Sequence, residues 1–381
     1  MRLVPLLLAF VLGCPSAEPE PAEPPPVSDL TLTWWTSLGS LGVGVTHLAL
    51  VDTTRETPAH ETYPALPQRS LPTTVWYPAT DGHALDPEPD APAADGTFPL
   101  VVHSHGFMSA ASDHAGLGAF LASHGYVFAA VEFPLSSRNA PGEADATDVV
   151  NQPADVSFVI DSILAADGLL AGLADDRIAA SGMSLGGLTT LAVGLHPAVK
   201  DDRIDALIGM APATCSLGDD IFDAPNPPLL LMHGDGDALL PIADHMPPLF
   251  DGLTGPAWLA TLAHGTHTGF PDASAGLFDN LEHADSIGCS QIAGALPDDA
   301  ENVTTDQLDG VGVVIGPDCA MPCEDESMLV DGMKPTRQVE LSFALARAFL
   351  DATLYGDAEG TLWLEAGVGL QEADVTMTHA P

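Results

Sequence analysis

The sequence predicts an α/β fold, a mostly parallel central sheet with helices on both faces. Three observations carry this expectation. Short apolar runs, such as Leu100-Val101-Val102, alternate along the chain with longer stretches of helical periodicity. Strands that alternate with crossover helices require a mostly parallel sheet covered on both sides. Hydrophobic residues make up 46% of the 381, enough to bury a large core despite 36 Gly and 34 Pro.

The elements follow in order. Residues 44–52 and 71–77 are rich in Val, Thr, Leu and aromatics and flank a Pro-punctuated loop, which suits an antiparallel start. Residues 100–102 form a strand that runs into His103-Ser104-His105-Gly106, and residues 113–124 then show helical spacing closed by Gly125. Residues 126–133 read as a second buried strand. A helix over 154–166 carries Val156, Val159, Ile160, Ile163 and Leu164 on one face. The strand over 177–181 ends at a glycine-flanked serine and is followed by a helix over 188–195. Three more strands are expected over 204–210, 229–232 and 258–262. A final helix over 338–354 has Leu341, Leu345, Ala348 and Phe349 at helical spacing.

Charge narrows the partners. The 10 Lys and Arg stand against 53 Asp and Glu, a formal net charge of −43. Nucleic-acid affinity rests on Lys and Arg displacing counterions, so DNA and RNA are excluded as partners. The two lysines are Lys200 and Lys334, and this Asp-rich, Lys-poor balance suits a protein hydrated in high salt.

The N-terminus reads as a targeting segment. Arg2 precedes an apolar run over 3–12 that is too short to span a bilayer and fits the h-region of a secretory signal, residues 1–13. Val11-Leu12-Gly13-Cys14 resembles the lipobox of bacterial lipoproteins, which would make Cys14 the lipidated first residue. Residues 14–28 follow as a stiff Pro- and Glu-rich tether. One domain over 29–381 is then expected, exported and either lipid-anchored to the cell envelope or secreted. Its other cysteines, Cys215, Cys289, Cys319 and Cys323, suggest two disulfides of open pairing. No metal is expected, because no Cys-x-x-Cys pair occurs and the His103-x-His105 spacing lacks a nearby third ligand.

The chemistry centres on Gly182-Met183-Ser184-Leu185-Gly186, a Gly-x-Ser-x-Gly between an expected strand and an expected helix. Ser184 would occupy a strained turn whose crowding requires Gly182 and Gly186, while Gly187 lets the helix pack closely. A serine hydroxyl needs a histidine to take its proton, and the histidine needs a carboxylate to fix its tautomer. The acid is Asp235 or Asp237, in the turn that follows the 229–232 strand. The base is His264 or His267, beyond the last expected strand. Developing negative charge requires two backbone donors, Leu185 and, from the loop after residues 100–102, Phe107. Apolar Met108, Met183 and Phe270 lie beside these motifs and are expected to form a substrate pocket. No cofactor is implied.

These motifs, with Arg55, Arg69, Trp76-Tyr77-Pro78, Ser104-His105-Gly106-Phe107, His124-Gly125-Tyr126 and Asp155, resemble the platelet-activating-factor acetylhydrolase and predicted dienelactone hydrolase group of α/β-hydrolases over roughly residues 43–270. The resemblance implies an α/β-hydrolase fold. His233-Gly234-Asp235-Gly236-Asp237 with Pro241 is similar to the His-Gly-x-x-Asp-x-x-x-Pro form of these enzymes and selects Asp237. His267-Thr268-Gly269-Phe270 is similar to their His-x-x-Phe loop and selects His267. True dienelactone hydrolases use a Cys nucleophile, so Ser184 argues against that activity. The implied function is a serine carboxylic-ester hydrolase acting on small-molecule, lipid or polymer esters with apolar acyl or aromatic groups. A peptidase or amidase on the same fold, or a non-catalytic binding lipoprotein, is the alternative. Residues 271–337 depart from the pattern: acidic and holding three cysteines, they are expected to form either a disulfide-pinned lid or rim, or a bystander excursion.

Overall fold

A computed structural model of the protein describes residues 30–292 and 322–381, so the expected signal segment, Cys14, the expected tether and Cys319 lie outside the described residues. Among the described residues the strands are β1 (Gly42–Asp52), β2 (Arg69–Ala79), β3 (Glu88–Pro89), β4 (Phe98–Ser104), β5 (Val127–Val131), β6 (Ala174–Met183), β7 (Ile204–Met210), β8 (Leu229–Gly234), β9 (Ala257–Leu262) and β10 (Val375–Ala380). They form one sheet in the order β10-β9-β8-β7-β6-β4-β5-β2-β1-β3. The run from β5 through β4 to β9 is parallel, β1 and β2 are antiparallel at one edge, and β10 pairs antiparallel with β9 at the other. The antiparallel start and parallel centre match the sequence expectation. β10 does not: β9, expected to be the last strand, is second from the edge.

The helices are α1 (Leu32–Thr36), α2 (Ala115–Ser123), α3 (Gln152–Leu164), α4 (Leu185–Leu195), α5 (Ile242–Gly252), α6 (Asp285–Ile292), α7 (Pro335–Leu354), α8 (Ala358–Leu362) and α9 (Val368–Gln371). Central strands send alternate side chains to two cores, Val101, Phe128, Leu230 and Met232 to one, Leu100, Val102, Leu229 and Leu231 to the other. This period of two obliges both faces to be covered by apolar helix stripes. Helices α1, α2 and α7 cover the first face, and α3, α4 and α5 the second. α3 starts with a proline in its first turn, where the missing N–H is no loss, and buries Val156, Val159, Ile160 and Ile163. Each such aliphatic contributes about 1.5–3 kcal/mol. Leu164, expected on that stripe, is instead 36% exposed. The helix expected from residue 113 begins as a 3₁₀ turn, Ala111–His114, and becomes α2; Gly125 ends it at φ 93°.

Ionic and covalent ties brace this frame. Arg69 of β2 is buried and donates to both Asp155 of α3 and Asp148, so it pins the antiparallel edge to the helix layer. Removing one partner of such a buried pair costs about 3–5 kcal/mol. A disulfide joins Cys289 to Cys323, and Cys215 is disulfide-bonded as well. No helix among the described residues is long and apolar enough to cross a membrane.

Candidate active site

Ser184 stands between β6 and α4 at φ 57°, ψ −120°, a left-handed conformation that a residue with a side chain adopts only when its surroundings enforce it. The enforcement is visible. Its N–H donates to Met210 O at the end of β7 (2.9 Å), and its carbonyl accepts from Leu188 N–H and Ala213 N–H. Glycine is obligatory around it. A Cβ on Gly182 would lie 2.1 Å from Gly186 O, and one on Gly186 would lie 2.1 Å from Ser104 O. A Cβ on Gly187 would strike Pro212 at 2.7 Å, which is the close helix approach expected of that residue.

The loop after β4 runs against this elbow, since a Cβ on Gly106 would sit 3.3 Å from Ser184 Cβ. His105 holds the loop. Its Nε2 accepts from Phe133 N–H (3.1 Å), so its Nδ1–H donates to Gly106 O (2.7 Å). Burial lowers its pKa and keeps the ring neutral. Met108 follows at φ 55°, its N–H donating to Ser136 O. His103 is engaged elsewhere, with Nδ1 2.9 Å from Ser181 Oγ and its ring stacked on Phe128. Leu185 lies in the first turn of α4, where backbone N–H groups have no intrahelical acceptor and the helix dipole favours negative charge. Phe107 and Leu185 N–H donate to no acceptor among the described residues.

Asp237 lies three residues beyond β8 and is buried. Its Oδ1 accepts from the N–H groups of Leu239 (3.0 Å) and Leu240 (2.7 Å), leaving Oδ2 for His267 Nδ1 at 2.8 Å. Burial pushes this carboxyl up, but the His267 charge and these bonds outweigh it and hold the pKa below the usual value. The converse holds for His267: burial pushes its pKa down, and the Asp237 charge and hydrogen bond carry it above the usual value. With Nδ1–H committed to Asp237, Nε2 carries the lone pair. His233 Nε2 donates to Leu240 O (2.8 Å) and stands 3.4 Å from Asp237 Oδ2. Asp235, the alternative acid, is exposed and accepts from His264 N–H, while His264 is exposed at φ 59°.

The hydrogen-bond network joins Asp237 to His267 and does not extend to Ser184 Oγ. Ser184 shares their end of the sheet through the strands: its N–H bonds the end of β7, and Ala211 N–H bonds Met232 O of β8. The loop after β9 then folds back over β8, where Gly236 N–H donates to Gly265 O. Hydrogen bonds between catalytic groups commonly tighten only with substrate bound. Of the expected pocket side chains, Met108 is half-buried, whereas Met183 is 4% and Phe270 1% exposed in the core shared with α7. These two therefore lie beneath the site, because the strand end and the loop after His267 both turn their apolar side chains into that core.

Two residues that sequence reasoning missed hold the histidine loop. Gln338 of α7 accepts from Thr266 N–H (2.9 Å) and donates to Thr266 O (2.7 Å). It was detectable as a polar residue on the apolar stripe of that helix, three positions before Leu341. Asp285 of α6 accepts from His267 and Thr268 N–H, and nothing in its local sequence announces it.

Comparison with known proteins fits this geometry. A family model described as chlorophyllase matches residues 89–232. The chain is 26% identical over 180 residues to bis(hydroxyethyl) terephthalate hydrolase of Streptomyces coelicolor, covering 47% of this chain and 49% of that protein. The match thus spans about half the length of that curated relative. A solved ferulic acid esterase from Streptomyces cinnamoneus superposes with a TM-score of 0.57 at 22% identity, covering 83% of this chain and 91% of that one. The sheet order, the serine elbow between β6 and α4, and this structural likeness together establish that the chain has an α/β-hydrolase fold.

Proposed function

We propose that the protein is a serine carboxylic-ester hydrolase that works through an acyl-enzyme on apolar acyl or aromatic esters. The observation that carries this reading is the strained Ser184 elbow at the same end of the sheet as the buried His267–Asp237 pair. Ser184 Oγ attacks the ester carbonyl as its proton passes to His267 Nε2. The displaced electron pair resides on an oxyanion that accepts from Phe107 and Leu185 N–H, each such donor supplying ~10²–10³ in rate. Collapse breaks the bond to the alcohol, which takes the proton from His267. Water then repeats the sequence on the acyl carbon and releases the acid.

A cavity of about 340 Å³, lined by Leu217, Ile221, Phe222 and Leu249 with the polar Thr214 and Asp244, lies apart from Ser184 and His267. Leu217 packs on the same Val149–Leu188 pair as Leu185. The formal charge of −43 disfavours anionic substrates. The relative similar over 180 residues is named for a terephthalate ester, which supports aromatic acyl groups. Within the fold, the motifs quoted above support reading the chain as a relative of the platelet-activating-factor acetylhydrolase group. We further read it as exported and anchored through lipidated Cys14; a Cys14→Ser variant should leave the membrane fraction. The test of substrate class is a chain-length series of nitrophenyl esters run beside a phospholipid and a polyester film, with Ser184→Ala as control. Turnover confined to amides would reject the ester reading.

A further inference from the structure

The region between His267 and α7 is where the chain departs from the pattern its motifs otherwise follow, yet it reaches into the catalytic pair. Asp285, the first residue of α6, is fully buried. Its Oδ2 accepts from Ala238 N–H (3.0 Å) and His267 N–H (3.1 Å), and its Oδ1 from Thr268 N–H (2.6 Å). None of these donors belongs to α6, so the carboxylate does not cap its own helix. Two of them belong to the base loop, residues 263–270, and the third to the residue after Asp237. One side chain therefore ties the loop of the acid to the loop of the base.

A second tie returns to the same peptide. Ala238 O accepts from Cys323 N–H (2.9 Å), and Cys323 is bonded to Cys289, one turn along α6 from Asp285. Ala238 is thus held by its N–H and by its carbonyl, and both holders sit on one cross-linked unit. Close packing reinforces it, since a Cβ on Gly288 of α6 would lie 2.5 Å from Thr268 Oγ1. Loops held from one side only would leave the 2.8 Å Asp237–His267 bond free to lengthen.

Resting on the serine-hydrolase reading above, we infer that α6 and its disulfide form a clamp in which Asp285 is the positioning residue that aligns Asp237 with His267. Charged and titratable groups face Asp285 from each neighbouring element: Asp237 after β8, His267 after β9, and His283 within its own segment at 4.0 Å. His233 and His245 stand behind Asp237. Burial and the Asp237 charge push the Asp285 carboxyl up, and in its ionised form it favours the imidazolium of His267.

The test uses the full chain with Asp285→Asn, Asp285→Glu and a surface control, Glu282→Gln, each checked for folding by circular dichroism. Rates on a nitrophenyl ester are read as kcat, KM and pH profile, together with the rate at which a fluorophosphonate labels Ser184. For Asp285→Asn, kcat falls about 10- to 100-fold at unchanged KM, the scale of a misplaced catalytic group. The acid limb of kcat/KM moves to lower pH, labelling slows in proportion, and Glu282→Gln behaves as the parent. Asp285→Glu keeps the charge and the parental acid limb with an intermediate kcat, and it carries the test if Asn prevents folding. Parental kcat and acid limb in a folded Asp285→Asn, or a change in KM alone, overturns the clamp. If Asp285→Asn does not fold, parental kcat in Asp285→Glu overturns it. A parent whose Ser184 is not labelled overturns the underlying hydrolase reading instead.

Discussion

His267 Nδ1 lies 2.8 Å from Asp237 Oδ2, with both side chains buried and Asp237 already bonded through its other oxygen to two backbone N–H groups. The carboxylate is thereby held by bonds that do not involve the histidine. The ring can take one tautomer only, the one that presents Nε2 as a base. This relationship has consequences for activity, for pH dependence and for how the rest of the chain supports the site.

Asp237→Asn lowers kcat by ~10⁴, the loss associated with the wrong histidine tautomer in a serine protease triad. Asp235→Asn changes kcat little, because Asp235 is exposed and serves His264 N–H. Steady-state kinetics of the two variants decide it, and a reversed ranking would assign the acid to Asp235.

In the proposed triad His267 works as base only when its imidazole is neutral, and Asp237 holds its pKa above the ordinary histidine value against the opposing effect of burial. Activity is therefore lost as pH falls through a value above ~6.5. A pH profile of kcat/KM measures it. An acid limb below that value would mean that burial dominates over the Asp237 charge.

Asp272 is pushed up to about 7, chiefly by burial, although it accepts from Leu117 N–H at 2.8 Å near the start of α2. A carboxyl with a raised folded pKa contributes stability that is complete below ~3.9 and is lost as pH rises through about 7. Asp272→Asn removes that dependence. The Tm of the variant minus that of the parent should grow more positive from pH 5 to pH 8, and a difference constant with pH would contradict the assignment.

The pair Cys289 and Cys323 closes on the peptide after Asp237. Changing both to Ser lowers kcat on a short ester and on a bulky one together. A gain confined to the bulky ester would instead assign the segment the part of a rim over the substrate, the expectation that the cysteine-rich composition first raised.

How much of this was legible depends on what each residue answers to. Gly182 and Gly186 meet backbone atoms within their own turn and the adjoining strand, so the serine elbow is written locally in glycine. The central strands were legible because burial on both faces demands unbroken apolar runs. β10 was not: only Val375 of its six residues is buried, and an edge strand that exposes Thr376, Thr378 and His379 resembles a loop. α5 was hidden by Pro247 and Pro248 in its interior. Asp285 bonds backbone amides 17 to 47 residues away, and amide donors leave no pattern in side chains. Met183 and Phe270 show the same limit from the other side, since an apolar residue beside a motif fits a pocket wall and a core equally well until its direction is known.

Ser184 is the proposed nucleophile of an acyl-enzyme. The most direct measurement is mass spectrometry of the protein quenched in acid during turnover of a slow nitrophenyl ester. The expected result is one acyl increment on the peptide that contains Ser184, absent from Ser184→Ala, whose turnover falls to background while its fold is retained. An acyl group on another residue, or Ser184→Ala retaining more than about a few per cent of parental turnover, would contradict it.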